Sequence, residues 1–460
     1  MKLFRILLGI FLILLLVAFV FIEPVDITPY FETGYYKTTR AKLDSLTQES
    51  NPLNGELQVG FSKVNFTPTF ILSAEPQKLG EFSGVPLAGY GNRDGAIAKQ
   101  IHDSLFVKCV ALRVENKTVF LIALDLLIVP QEIREAVTSQ LQEFFGITRV
   151  QLYFSATHTH SSLGGWGEGF VAESFSGPYD SRVREWITAQ VFSAVASAKE
   201  NIAPARWGFG SFNAPNFIRN RLVGKKGRLN DAFDFLYFEK ESGQRGIVGF
   251  YGAHATVLSG KNMQCSADYP GYWQRAIEAQ LPGSTALFFA GSVGSHRPGG
   301  QGKDFARAEN IGLALADSVL SHLAEFSTTR TVTLSPLTLP MSLPESQIRL
   351  LENWRLRPLW GQKLMPIQPS VDLQILKMDN FILATTPCDF SGELALHIHA
   401  AMQQKGQHTT ISSFNGDYVG YIIPGKYYHF PEYEPRLMGW FGPYLGDYTT
   451  EMLLRMMEGY

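Results

Sequence analysis

Cysteine is scarce in this chain: Cys109, Cys265 and Cys388 are the only three in 460 residues. An odd, low count excludes a disulfide framework. Three buried thiols acting as small hydrophobes is the ordinary reading, and at most one bridge is open to an oxidising compartment. Excess charge is lacking as well, since 40 Lys and Arg stand against 42 Asp and Glu, a net −2. No polybasic surface follows, so nucleic acid is not an expected partner, and nothing signals a protein partner. Internal repeats, low-complexity tracts and Pro/Ser linkers are also missing, which excludes a solenoid and offers no internal boundary. What is abundant is core material. Hydrophobic residues make up 45% and aromatics 13%, with 33 Phe, a globular rather than a disordered composition.

The N-terminus departs from this. Ile6 to Ile22 carries no charge, Lys2 and Arg5 precede it, and Glu23 and Asp26 follow. About 20 apolar residues span a bilayer's hydrocarbon core, and the positive flank stays cytoplasmic. A cleaved signal peptide begins the same way, but Phe21-Ile22-Glu23-Pro24 is a poor cleavage site. A buried core helix is the bland alternative, weakened by the run's position at the chain's start. The expectation is a cytoplasmic tail over 1–5, a transmembrane signal-anchor over 6–22 and a juxtamembrane connector over 23–56. Residues 57–460 then form one exported domain, periplasmic or extracellular.

Within that domain strands and helices interleave. Apolar patterning predicts strands at 57–66, 105–114, 118–124, 150–156, 233–239, 246–251, 285–290, 329–341, 371–378, 380–385 and 409–414. Helices are predicted at 131–145, 182–199, 272–280, 305–327 and 393–404, and a short one at 39–46 in the connector. This is the pattern of an α/β fold: a single large domain with mixed β-sheets flanked by helices, preceded by one N-terminal transmembrane helix.

The chemistry concentrates at strand ends. Ser155-Ala-Thr-His-Thr-His-Ser-Ser162 closes an apolar strand. Residues i and i+2 of a strand face one side, so His158 and His160 can share a cavity, and imidazole nitrogens suit zinc. A His-x-His pair with no metal is about as common. His254 follows a second apolar strand among small residues, although a lone His is more often structural. Asp268 and Asp389 stand beside Cys265 and Cys388, which makes that pair of thiols the better candidate for any bridge. Asp389 precedes a helix, where an N-cap is the commoner role. Tyr418 and Tyr421 lie in a glycine-bracketed turn, and buried tyrosines usually just pack.

Taken in order, these segments resemble the neutral/alkaline (non-lysosomal) ceramidases, zinc amidases that hydrolyse the N-acyl bond of ceramide. Ser155-Ala-Thr-His-Thr-His-Ser161 is the most specific match, to Ala-Thr-His-Thr-His-Ser-Gly-Pro. Ala88-Gly-Tyr-Gly-Asn-Arg93, Ile101-His-Asp103, Leu124-Asp-Leu126, Asn220-Arg221, His254-Ala-Thr256, Asp268-Tyr-Pro-Gly-Tyr272, Pro387-Cys-Asp-Phe390, Gly420-Tyr-Ile422 and Phe441-Gly-Pro443 fall on further family segments. The resemblance implies one Zn²⁺ per chain held by His158, His254, Asp389 and Tyr421, with Asp replacing the family's Glu. It implies His160 as a neighbouring catalytic or supporting group, expected to serve as general base or proton shuttle, with Tyr421 or Arg221 expected to stabilise the developing oxyanion. At Gly294-Ser-His-Arg-Pro298 the family carries a catalytic Ser where this chain has Arg297. Ser295 or His296 substitutes, or the reaction needs no Ser, or activity is lost. Asp268, His296 and Arg297 are assigned to substrate binding, Arg297 as a receptor for an anionic head group. The implied function is a membrane-anchored zinc amidase acting on ceramide or a related N-acyl lipid. A degenerate homologue that binds such a ligand without cleaving it, or a zinc hydrolase with another substrate, is the alternative. Because the sequence ends soon after Phe441-Gly-Pro443, a counterpart of the family's C-terminal immunoglobulin-like domain is not expected within it.

Overall fold

The computed structural model describes residues 2–48, 52–72, 78–324 and 326–459. Its backbone is a mixed sheet that branches. The strand Leu53–Asn65 pairs along its first residues with Thr331–Ser342 and along the rest with Phe106–Val114. From it one wing runs outward through Ala203–Asn213, Ala232–Lys240, Arg245–Tyr251 and Thr285–Ala290. Another runs through Thr331–Ser342, Ser370–Met378, Phe381–Thr385 and His408–Ser412. A third carries Phe106–Val114, Lys117–Leu124 and Leu152–Ala156. The expected α/β class with mixed sheets holds: most neighbours are antiparallel, while Leu152–Ala156, Thr285–Ala290 and His408–Ser412 each join their neighbour in parallel.

Apolar residues on both faces explain why these strands lie deep. Leu57, Val59, Val110, Leu121, Tyr153, Phe250 and Leu383 meet in one core between the wings. The helices Gln131–Phe145 and Ser181–Glu200 cover one outer face through Ile133, Val137, Leu141, Ile187, Val191 and Val195. Asp268–Gln280 and Asp304–Leu323 cover another, and Gly392–Gln403 with Leu445–Glu458 a third. Burying such a side chain stabilises by about 1.5–3 kcal/mol relative to exposure. The wings' inner ends converge, and the loops leaving Leu152–Ala156, Arg245–Tyr251, Thr285–Ala290 and Phe381–Thr385 therefore meet in one place.

The stretch expected as a connector packs against the domain. Ile22–Pro24 pairs with Trp354–Leu356, and the helix Gly34–Gln48 lies on Thr331–Ser342 with Thr39 and Leu43 buried. Tyr448 Oη donates to Thr39 Oγ1 at 2.7 Å, and Tyr30 and Tyr36 both donate to Glu451. The first sheet strand starts at Leu53 rather than 57. All three cysteines are buried and free, so no bridge joins Cys265 to Cys388. Among the described residues, no helix is long and apolar enough to cross a membrane. The expected span over 6–22 falls on the helix Lys2–Phe21, and its side chains from 11 to 18 lie outside the described residues.

Candidate metal centre

His158 and His160 leave the strand Leu152–Ala156 on a turn in which His158 adopts φ 61°, a left-handed conformation that a non-glycine residue takes only at a cost. Phe414, also left-handed at φ 68°, stacks on the His158 ring with centroids 4.3 Å apart. His254 follows Arg245–Tyr251 and approaches from the other side. His158 Nε2 and His254 Nε2 are 2.8 Å apart, and His160 Nε2 lies 3.3 Å from the first and 3.2 Å from the second. All three imidazoles are buried. They sit close enough together to hold a metal ion.

The second ring nitrogens assign the protons. His158 Nδ1 faces the Leu127 carbonyl at 2.7 Å, and His160 Nδ1 faces the Gly89 carbonyl at 3.0 Å. A carbonyl only accepts, so each Nδ1 carries the hydrogen and each Nε2 presents a lone pair to the cluster. His254 Nδ1 points the same way, 3.4 Å from the Val293 carbonyl. Three lone pairs then converge with no proton to share. A tetrahedral zinc with Zn–N of about 2.0–2.1 Å sets its nitrogens about 3.3–3.4 Å apart. The His160 spacings match this, while the His158–His254 gap is tighter. Protonating His160 or His254 is no alternative. Burial first, then the charges of His158 and Arg221, push His160 and His254 well below the usual histidine pKa.

Asp389 completes the picture. It is fully buried at the start of the two-residue strand Asp389–Phe390, parallel to Tyr421–Ile422. Its Oδ2 accepts from the Tyr418 hydroxyl at 2.8 Å, while its Oδ1 has no hydrogen-bond donor. That oxygen stands 3.3 Å from His158 Nε2 and 3.9 Å from His254 Nδ1. A buried carboxylate oxygen left bare beside three lone pairs costs several kcal/mol unless a cation faces it. The donor set of imidazoles and a carboxylate fits zinc.

Tyr421 lies on the rim of the same cluster, its ring centroid 6.4 Å from that of His254. Its hydroxyl accepts from Arg221 Nη2 at 2.8 Å. Arg221 is held from behind by Glu434, at 2.5 Å. Burial works against the guanidinium charge, but Tyr421, Glu434 and Asp389 outweigh it and raise its pKa. A cavity of about 550 Å³ opens from this group, with His158, His160, Asp389, Tyr418 and Tyr421 at one end. Its other walls are apolar, among them Phe170, Val171, Phe175, Met365, Met438 and Trp440. His254 forms the back of the cluster and does not line the cavity, whereas His160 does.

The structure places four expected residues elsewhere. Ser295 Oγ is fully buried and engaged with Ser391 Oγ and the Gly392 amide, each at 3.1 Å. His296 is enclosed between the Ser292 and Arg228 carbonyls. Arg297 is exposed on the short strand His296–Pro298, opposite Arg219. Asp268 is buried at φ 52° and accepts the Leu258 and Tyr269 amides, a loop-bracing role. None of the four lines the cavity. The segment still serves the site through its backbone: Gly294 N donates to the Phe390 carbonyl beside Asp389, and Arg221 N donates to the Ser295 carbonyl. Sequence reasoning missed Glu434, and also Arg93, which donates to the His160 and Ala88 carbonyls at 2.6 and 3.2 Å. The one available signal was Ala88-Gly-Tyr-Gly-Asn-Arg93: Gly89, at φ 110°, leaves room for the His160 ring, which a Cβ would meet at 2.5 Å.

With this geometry in hand, residues 78–296 match the family model described as neutral/alkaline non-lysosomal ceramidase, N-terminal. The family resemblance is borne out. Neutral ceramidase A of Dictyostelium discoideum is 26% identical over 200 residues, covering 37% of this chain and 27% of that protein. Neutral ceramidase of Mycobacterium tuberculosis is 23% identical over 220 residues, covering 43% of this chain and 34% of that protein. The matched stretch is thus about a quarter to a third of these relatives' length. In fold, the crystal structure of neutral ceramidase from Pseudomonas aeruginosa superposes with a TM-score of 0.71 at 17% identity, over 88% of this chain and 74% of that one. The family-model match includes His158, His160 and His254 but stops before Asp389 and Tyr421.

Proposed function

We propose that this chain is a zinc-dependent amidase that hydrolyses the N-acyl bond of ceramide or a related N-acyl lipid. The observation that carries the reading is the convergence of three histidine lone pairs and the bare Asp389 Oδ1 beside a largely apolar cavity. His158, His254 and Asp389 would hold the metal, with Tyr421 beside them. His160 is the one imidazole of the cluster that faces the cavity without standing within 4 Å of Asp389. Bound there, zinc supplies a Lewis acid for an amide carbonyl and brings a water's pKa to about 7. His160 Nε2 is the proton acceptor, and the Gly89 carbonyl on Nδ1 steadies the imidazolium that results. Arg221, with Tyr421, donates to the oxygen on which negative charge develops. Tyr418 orients Asp389. The apolar walls accept an acyl chain and keep water from the reacting bond.

The charge-free run from Ile6 to Ile22 supports membrane anchoring, with Lys2 and Arg5 on the cytoplasmic side and the domain exported. The test is fatty-acid release from a panel of N-acyl lipids by the purified chain with zinc, beside its His158→Ala variant. The parent is expected to release fatty acid and the variant not. Equal release by both would remove the site assignment. The turn at Gly294–Pro298 aims no free hydroxyl at the cavity, which favours a second reading: a protein that retains the lipid uncleaved. Stoichiometric lipid binding with no fatty-acid release would establish it.

A further inference from the structure

Apart from Arg5 near its start, the helix Lys2–Phe21 is apolar on every side that is described. Leu3, Phe4, Ile6, Leu7, Leu8 and Ile10 are all exposed, as are Phe19, Val20 and Phe21. Three consecutive helical positions point about 100° apart, so no single face of the domain covers them. Where this helix ends, the chain enters a small sheet in which Ile22–Pro24 pairs with Trp354–Leu356, and that strand pairs with Arg349–Leu351. The junction is fixed. Arg357 N donates to the Phe21 carbonyl at 2.8 Å, Trp360 Nε1 donates to the Val20 carbonyl at 3.1 Å, and the Trp360 and Phe21 rings lie 4.8 Å apart.

This segment is itself apolar outward. Leu350, Leu351, Trp354 and Leu359 are exposed, the last at 65%. Cations sit among the aromatics: Lys363 Nζ lies 4.8 Å over the Trp360 ring and the Arg357 guanidinium 5.6 Å over Phe19. The strip continues to the cavity. Ile348 and Leu364, at its two ends, line the cavity wall. The Leu350 carbonyl accepts from Arg436, whose neighbour Leu437 is 63% exposed and lines the mouth together with Phe170, 75% exposed. A run of large apolar side chains from a bare apolar helix to a cavity mouth marks a surface built to be covered. Tryptophans with Lys and Arg beside them are the composition of a membrane interface.

We propose that the face formed by residues 348–364, Phe170 and Leu437 seats on a lipid bilayer, so that the cavity mouth opens at the interface and an amphiphilic substrate passes into it without crossing water. The proposal rests on the amidase reading for the substrate and on the exposed helix for the occupant. The test uses the full chain in phosphatidylcholine vesicles whose acyl chains carry bromine near the head group. Tryptophan fluorescence of the parent is expected to be quenched, and the Trp354→Phe, Trp360→Phe double variant to lose most of that quenching. No quenching, or equal quenching in the double variant, would overturn the proposal. In a second arm, Leu351→Glu with Leu359→Glu is expected to lower turnover of a vesicle-embedded long-chain N-acyl lipid at least tenfold. Turnover of a short-chain, water-soluble N-acyl amide should stay within about twofold. An equal fall on both substrates, or on neither, would contradict the docking role. If the parent cleaves neither substrate, the amidase reading fails, and the quenching arm still decides whether this face meets lipid.

Discussion

Two segments meet at Asp389–Phe390, and their buried polar atoms are in opposite states. Around His158, His160, His254 and Asp389, three imidazole lone pairs converge beside a carboxylate oxygen that no protein donor reaches. Around Gly294–Pro298, Ser295 and His296 have protein partners for their polar atoms. Burial alone does not distinguish chemistry from architecture. A folded chain spends its hydrogen-bonding capacity on itself wherever it can, and the place where it leaves that capacity open is where a ligand belongs. On the function proposed above, the histidine cluster carries the reaction, and the Gly294–Pro298 turn braces the backbone at Phe390 and Arg221 through hydrogen bonds.

The comparison can be broken at several points. The largest effect is expected from His254→Ala, which removes a donor at the back of the cluster without touching the cavity wall. Loss of the Lewis acid costs several kcal/mol of transition-state stabilisation, so turnover should fall about 10³-fold or more, together with metal content. Next is His160→Ala. As the proton acceptor its loss should lower kcat by about 10²–10⁴-fold while zinc content stays at the parent's level; loss of zinc would make it a ligand instead. Tyr418→Phe frees Asp389 Oδ2 and should cost about 10–100-fold in metal affinity or activity, read by zinc titration.

Smaller effects are expected on the other side of the comparison. Asp268 has its pKa raised to about 6, chiefly by burial. A carboxyl raised above its ordinary 3.8 stabilises the fold fully below that value, and the contribution is lost as pH rises through about 6, some 3 kcal/mol in all. Denaturant midpoints at pH 4 and pH 7 should therefore draw closer in Asp268→Asn. Asp125, also raised to about 6 by burial, supplies what remains. KM should not move, because Asp268 does not reach the cavity. Ser295→Ala should be the mildest: about 1–3 kcal/mol of stability from the unpaired Gly392 amide, with kcat within a few-fold. A 100-fold loss of kcat at normal zinc content would return Ser295 to the chemistry.

The parts of this account legible in sequence are those with short-range causes. Alternating or continuous apolar runs marked Phe106–Val114, Lys117–Leu124 and Thr285–Ala290 to within a residue or two. Gln131–Phe145 matched its predicted bounds because its apolar stripe repeats at helical spacing. The strand Ala203–Asn213 was hidden by Pro204, Gly208 and Gly210. The two glycines are there because the rings of Phe326 and Phe235 pack where their side chains would be. The helix Asp268–Gln280 starts four residues before its predicted Tyr272, since Pro270 and Gly271 read as breakers although a proline is tolerated in a first turn. The C-terminal helix Leu445–Glu458 was lost in an aromatic and glycine-rich tail. In the site, His158 and His254 announced themselves at strand ends. Glu434 did not, because its partner Arg221 is brought to it only by the tertiary fold. Ser295 and His296 drew attention as reactive residue types, and nothing local in the sequence shows that Ser391 and the carbonyls of Ser292 and Arg228 engage them.

The most direct measurement is the metal content of the purified chain after zinc loading and dialysis, taken beside Asp389→Ala and Ser295→Ala. One zinc per chain in the parent and in Ser295→Ala, with most of it lost from Asp389→Ala, is the result this account predicts. A parent that retains no zinc, or an Asp389→Ala variant that binds it as tightly as the parent, would contradict it.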